Sequence, residues 1–215
     1  MHQVNVGSKK QLAVLLSQLK GFIQGKVKLE QYPTDSETAA DILWNAMLLG
    51  DITEKRIIDA GCGTGILGLG ALLLGAAEVT FVDIDAEALE TAKSNLSKLE
   101  SEGYELGTTT FTAKDILKVE GTWDTVLQNP PFGTRSPGAD ASFLRKAITL
   151  GTSTYSFHKT STEEFIDQCI KDTGAQTTHK FPVELIIRNT YQHHTKKLQR
   201  IKVSVWRVLS VKTHK

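Results

Sequence analysis

The chain has 215 residues, 40% of them hydrophobic and 23% charged, with 25 Lys and Arg against 24 Asp and Glu. That length buries a core without covalent staples, and two cysteines, Cys62 and Cys169, exclude a disulfide framework and a cysteine-built metal centre. The longest apolar run, residues 66–77, is too short and too broken by glycine to cross a bilayer or act as a secretory signal, so the expectation is a cytoplasmic protein without membrane association.

In chain order, residues 9–24 are predicted as a helix from the apolar positions Leu12, Leu15, Leu16, Leu19 and Phe22. Pro33 keeps Tyr32 out of the helical region, which makes residues 30–34 extended. Asp35 or Ser36 then caps a second helix ending near Gly50. Strands are expected at 55–59, 79–83, 108–112, 123–128 and 152–157, and helices at 65–75, 86–100, 139–149 and 161–173. Two further strands, about 180–189 and 199–209, flank a polar loop at 191–197. Alternation of strand and helix implies an α/β fold: seven strands, mostly parallel, helices on both faces, ligands at the carboxyl ends of the strands. The closing strand pair adds an antiparallel strand. We expect one domain over 1–215, with 1–50 a helical extension and ligand-covering segment and 51–215 the core.

Two motifs carry chemistry. The first is the stretch from Asp59 to Gly65 with Gly68 behind it, where a short apolar strand runs into glycines and then into a helix. Gly63-x-Gly65-x-x-Gly68 fits a dinucleotide fingerprint with a pyrophosphate at the helix N-terminus. Asp59-x-Gly61-x-Gly63-x-Gly65 fits instead a loop for S-adenosylmethionine, with the strand-end acid facing a cationic amino-acid moiety. Both patterns accept Asp83 as the ligand of ribose hydroxyls, with Asp85 as a second acid nearby. The second motif is Asn129-Pro130-Pro131-Phe132, after the strand at 123–128. An amino group conjugated to an aromatic ring is a poor nucleophile because its lone pair is delocalised. A neutral side-chain carbonyl from Asn129 and a backbone carbonyl from Pro130 would hold its two N–H groups, and Phe132 would stack on the base. A strand-end acid together with Asn-Pro-Pro-Phe favours the methyl donor. Asp59, Asp83, Asp115 and Asn129 then all stand at carboxyl ends of strands, and Asp115-Ile116 would bond and pack against the donor's adenine, with a simple turn cap as the alternative role of Asp115.

Charge is distributed unevenly. From Arg188 to Lys215 there are eight Lys and Arg and no acid, which leaves 17 basic against 24 acidic residues, net −7, in the rest of the chain. Interleaved with Tyr191, His193, His194 and Trp206, this end reads as a surface for a polyanion.

Four segments together resemble the methyltransferase-like-five family, archaeal and eukaryotic enzymes that methylate N6 of an adenosine in small-subunit ribosomal RNA. They are residues 29–34, residues 59–65 with 82–85, residues 128–134 (Gln-Asn-Pro-Pro-Phe-Gly-Thr) and residues 155–161 (Tyr-Ser-Phe-His-Lys-Thr-Ser). The resemblance implies a class I, Rossmann-like methyltransferase fold. It implies that Gln31, Thr34, Asp59, Gly61, Gly63, Thr64, Ile66, Asp83, Asp115 and Ile116 line the donor site. Asn129, Pro130, Pro131 and Phe132 would form the catalytic loop, with the stretch from Gly133 to Ala139 as one wall. His158 and Lys159, just past a strand end, would contact RNA phosphates, as would Lys196, Lys197 and Arg200. No metal is implied. The resemblance also implies a small zinc-binding activator as partner. Its docking place would be the third strand, 108–112, a threonine-rich edge without proline or charge, where a proline at 110 should prevent pairing. Two other readings remain at this level: methylation of a protein glutamine amide through a related Asn-Pro-Pro-aromatic loop, and a module that binds donor or RNA without chemistry.

Overall fold

The centre of the molecule is β1 (Arg56–Ala60), buried from Ile57 to Ala60. Parallel strands flank it on both sides: β2 (Glu78–Asp83) and β4 (Trp123–Gln128). In this computed structural model, which describes residues 6–22, 34–132, 138–188 and 198–211, the remaining strands are β3 (Thr108–Ala113), β5 (Gly151–Lys159), β6 (Gln176–Arg188) and β7 (Leu198–Leu209). The order is β3-β2-β1-β4-β5-β7-β6, with β7 antiparallel to both of its neighbours. Helices α1 (Lys9–Ser17), α2 (Ser36–Leu48), α3 (Ile66–Leu73), α4 (Ala86–Ser101), α5 (Ala139–Leu150) and α6 (Glu163–Asp172) complete the architecture. No helix among the described residues is long and apolar enough to cross a membrane.

Local chemistry explains most boundaries. Asp35 caps α2 by accepting from the Thr38 N–H, and Asp85 caps α4 at Glu87. Strand β6 contains Pro182, which is tolerated because β6 is the last strand of the sheet and has one side unpaired. The segment between α2 and β1 is locked to the far strands by Asp51, which takes a two-pronged bond from the Arg207 guanidinium and the Tyr155 hydroxyl.

Three expectations shift. The first helix ends at Ser17, because the chain beyond it turns to meet Asn95 of α4. That amide accepts the Lys20 N–H at 2.8 Å and donates to the Lys20 carbonyl at 3.0 Å. Strand β5 runs on to Lys159, because β7 pairs with it there (His158 with Ser204, Lys159 with Val203). Arg207 and Trp206, counted above with the basic surface, belong to the interior: Trp206 is fully buried and Arg207 is engaged with Asp51.

Candidate active site

The glycine loop begins where β1 ends. Gly61, Gly63 and Gly65 all have positive φ (72°, 53° and 86°), a backbone that other residues adopt only under strain. A Cβ on Gly63 would stand 2.7 Å from the Phe22 ring, so this glycine also permits the N-terminal segment to lie on the loop. Asn95 reinforces the contact, since the same amide that holds Lys20 donates to the Thr64 carbonyl at 3.1 Å.

Two acids face this loop. Asp59 is 1% exposed and accepts the Gly68 N–H at 2.8 Å, which makes it the cap of the first turn of α3. Burial is the main cause that pushes its pKa up to about 7, with the Asp83 charge adding and the Gly68 bond opposing. Asp83, at the end of β2, accepts from Gly63 at 2.7 Å and from Asp85 at 2.8 Å, and burial raises its pKa as well. Neither acid pairs with a lysine or arginine among the described residues. A pocket edge of that kind suits a ligand bringing a cation and hydroxyls. It is hostile to a pyrophosphate, and the Gly68 N–H that such an anion would use is already taken by Asp59. The dinucleotide reading of the glycines is therefore set aside, and the residues fit S-adenosylmethionine.

The other donor-site expectations divide. Thr64 and Ile66 lie on the loop and the first residue of α3, Thr64 buried and Ile66 partly so. Asp115 follows β3, yet its carboxylate accepts the Leu117 N–H at 3.0 Å, so it caps a short 3-10 turn as the alternative role had it. Ile116 is 3% exposed in a cluster with Ile58, Val82 and Val126, so its side chain is core rather than pocket lining. Gln31 lies outside the described residues.

At the end of β4, Asn129 donates through Nδ2 to the Thr34 hydroxyl at 3.0 Å, which ties the Asn129–Phe132 segment to the start of α2 and fixes the amide's orientation. Thr34, expected at the donor, is thus the partner of Asn129. Pro130 is buried and Pro131 partly so, which leaves the backbone there little freedom. Phe132 is 6% exposed and packs into the main core cluster, and the Lys159 ammonium stands 5.6 Å from its ring centroid.

His158 corrects an expectation. It was placed in a loop against RNA phosphates, but β5 extends beyond it and its ring is fully buried, edge-on to Trp206. Burial depresses its pKa to about 3, so it is neutral and 3.9 Å from Asp140, a separation too long for a hydrogen bond. Lys159, next along the strand, is partly exposed and lines a shallow groove with Thr160, Ser161, Arg200, Ile201 and Lys202. Arg200 is shared with Glu184 at 3.1 Å. Lys196 and Lys197 lie outside the described residues. Asn95 and Phe22 were missed because each acts on the loop across a long stretch of sequence. Lys202 stood in the basic run without being singled out.

Comparison with known proteins gives the same picture. The methyltransferase small domain family model matches residues 35–150, from just before α2 to the end of α5. The rRNA N(6)-adenosine-methyltransferase METTL5 of Danio rerio is 35% identical over 201 residues, covering 90% of this chain and 95% of the relative. Its Drosophila melanogaster counterpart is 34% identical over 92% of this chain and 94% of the relative. The crystal structure of the Pyrococcus horikoshii protein PH1948 superposes with a TM-score of 0.85 at 38% identity, covering 94% of this chain and 98% of that one.

Proposed function

The chain belongs to the methyltransferase small domain family and, within it, to the METTL5 group of rRNA N(6)-adenosine-methyltransferases, and from that premise we propose that it methylates N6 of an adenosine in small-subunit ribosomal RNA. The observation that carries this reading is the place of Asn129. It stands at the end of β4, between the acids of β1 and β2 and the cations of β5 and β7.

S-adenosylmethionine, when bound, supplies the electrophilic methyl group. The chain's own groups do the rest. Asp83 holds ribose hydroxyls and Asp59 favours an ammonium group, while the glycines let backbone approach closely. The Asn129 amide and the Pro130 carbonyl accept the two N–H groups of the exocyclic amine and turn its lone pair out of the ring plane. As the N–C bond forms, the nitrogen becomes strongly acidic and gives its extra proton to water, so no dedicated base is required. His158, buried and neutral, is not one. Lys159 and Arg200, with the basic residues at 196 and 197, hold phosphates flanking the target.

The partner reading rests on the two sheet edges. At one edge β6 carries Pro182 together with Lys180 and Glu184, devices that discourage another strand. At the other, the threonine-rich β3 pairs, among the described residues, only with β2 and carries none of these. We place the zinc-binding activator there, adding a strand to β3.

The test of function is nucleoside mass spectrometry of ribosomal RNA from cells lacking the gene. N6-methyladenosine should fall in small-subunit RNA and return with the wild-type chain but not with Asn129→Ala. The purified variant should bind donor normally and turn over at least about a hundredfold more slowly, because the lost acceptor acts on the amine in the transition state. Unchanged modification would overturn the proposal.

A further inference from the structure

A string of buried polar side chains runs beneath the catalytic loop and has no part in the chemistry above. Gln128, the last residue of β4, donates through Nε2 to the Ser156 hydroxyl at 2.7 Å. The Ser156 oxygen is 2.6 Å from His158 Nε2. The far side of the imidazole, Nδ1, faces the Asp140 carboxylate at 3.9 Å. Gln128, Ser156 and His158 are all fully buried, and Asp140 is 7% exposed.

The bonding assigns the tautomer. The Ser156 oxygen already accepts from Gln128, so the arrangement that uses its one hydrogen has Ser156 donating to Nε2, which puts the ring proton on Nδ1, on the side of the Asp140 carboxylate. The order Ser-His-Asp is that of a nucleophilic triad, but the hydroxyl is sealed in the sheet and no substrate reaches it. What the string does touch is the start of the Asn129–Phe132 segment, since Gln128 immediately precedes Asn129. Asp140, in the first turn of α5, stands beyond hydrogen-bond reach of the imidazole. His158 also leads directly into Lys159, which stands over Phe132.

We infer that His158 is a positioning residue for methyl transfer, which through Ser156 fixes Gln128 at the start of the Asn129–Phe132 loop. A polar string through a buried sheet has little to offer stability, because His158 Nδ1 and Gln128 Oε1 make no hydrogen bond there. An apolar ring at 158 would pack as well. The string offers direction instead: each bond has one donor and one acceptor, so Gln128 and the backbone after it have one registered orientation.

The inference rests on the methyltransferase reading, and the wild-type protein separates the two: a wild type without adenosine methylation defeats that reading, whatever His158 does. With an active wild type, His158→Phe and Ser156→Ala are compared in single-turnover kcat, RNA KM, donor Kd and thermal midpoint. Both should fold, with thermal midpoints lowered by a few degrees because each leaves a buried polar partner without its bond, and keep donor Kd within about twofold, while kcat falls about ten- to a hundredfold from a misplaced acceptor. The double variant should lose no more than either single, since each breaks the same string. His158→Gln, whose amide reaches the Nε2 position, should restore most of kcat. A folded Ser156→Ala with wild-type kcat, or donor affinity falling in step with kcat, overturns the assignment. Should His158→Phe fail to fold, Ser156→Ala decides alone.

Discussion

Asp59 links donor binding to pH. Its carboxyl is 1% exposed and its pKa is raised from 3.8 to about 7, chiefly by burial, a penalty against ionisation on the order of 4 kcal/mol. An ammonium group brought beside it offsets that penalty and draws the proton off. Donor binding should therefore release a proton below about pH 7, and affinity should fall as the medium becomes more acidic, approaching tenfold per unit in the limit. For the ligand-free protein the sign is the reverse. The folded-state pKa lies above the unfolded value, so Asp59's contribution to stability is fully present below 3.8 and is lost as pH rises through about 7. Calorimetric titration of donor in two buffers of different ionisation enthalpy, at steps from about pH 5.5 to 7.5, reads both the affinity and the protons released. Asp59→Asn should bind more weakly and without the pH step. Asp83→Asn should keep the step at slightly lower pH, since the Asp83 charge is a secondary cause. A flat affinity profile, or Asp59→Asn with the wild-type slope, would refute the reasoning.

Two further outcomes follow from the surface. Neutralising Lys196, Lys197 and Arg200 together should reduce the log–log salt slope of RNA binding by roughly 2 if the bound strand is single, measured by fluorescence anisotropy; an unchanged slope removes that loop from the RNA surface. At the open edge, register chooses the residue to change. The amides of Thr108 and Lys114 bond to Ala77 and Asp83, so those of Thr108, Thr110 and Thr112 face β2 while those of Thr109, Phe111 and Ala113 face outward. Thr109→Pro should therefore abolish co-purification with the activator and leave the fold intact. The substitution at 110 expected from the sequence would break the sheet's own ladder, so full complex formation by Thr109→Pro would end the strand-addition idea.

The fold was legible because its signals are local. Runs of apolar or β-branched residues, threonine-rich in β3, gave all seven strands, and Asp35 and Asp85 sit where a helix start needs them. The acids of the site were legible for a related reason: a doubly wound sheet collects ligands where its strands stop, and Asp59, Asp83 and Asn129 are found there. What sequence could not give is pairing across distance. Asn95 reaches back 75 positions to Lys20 and 31 to Thr64, and no periodicity in α4 distinguishes it from another polar residue. His158 was misplaced because whether a strand continues depends on its neighbour. Two more residues of β7 pairing turn a loop histidine into a core one. Trp206 and Arg207 were misread through composition, which counts charge without knowing which side of a sheet it faces.

On the proposed reaction, the strand order also favours an amide over a carboxylate as the acceptor at position 129. Across the carboxyl edge, Asp83 and Asp59 close β2 and β1, Asn129 closes β4, and Lys159 closes β5. Because β7 is antiparallel, its first residues, with Arg200 and Lys202, return to that same edge. The field thus runs from negative to positive across Asn129. On the proposed reaction, a polyanion would be drawn to the β5–β7 side and repelled from the β1–β2 side, so that a phosphate chain would dock at one end and an uncharged base would approach the other. A third carboxylate at position 129 would join two acids whose pKa values burial already raises, raising them further and weakening the pull on a donor cation. A neutral acceptor, held in orientation by Thr34, accepts the two-way demand of the site without disturbing the charge on either side.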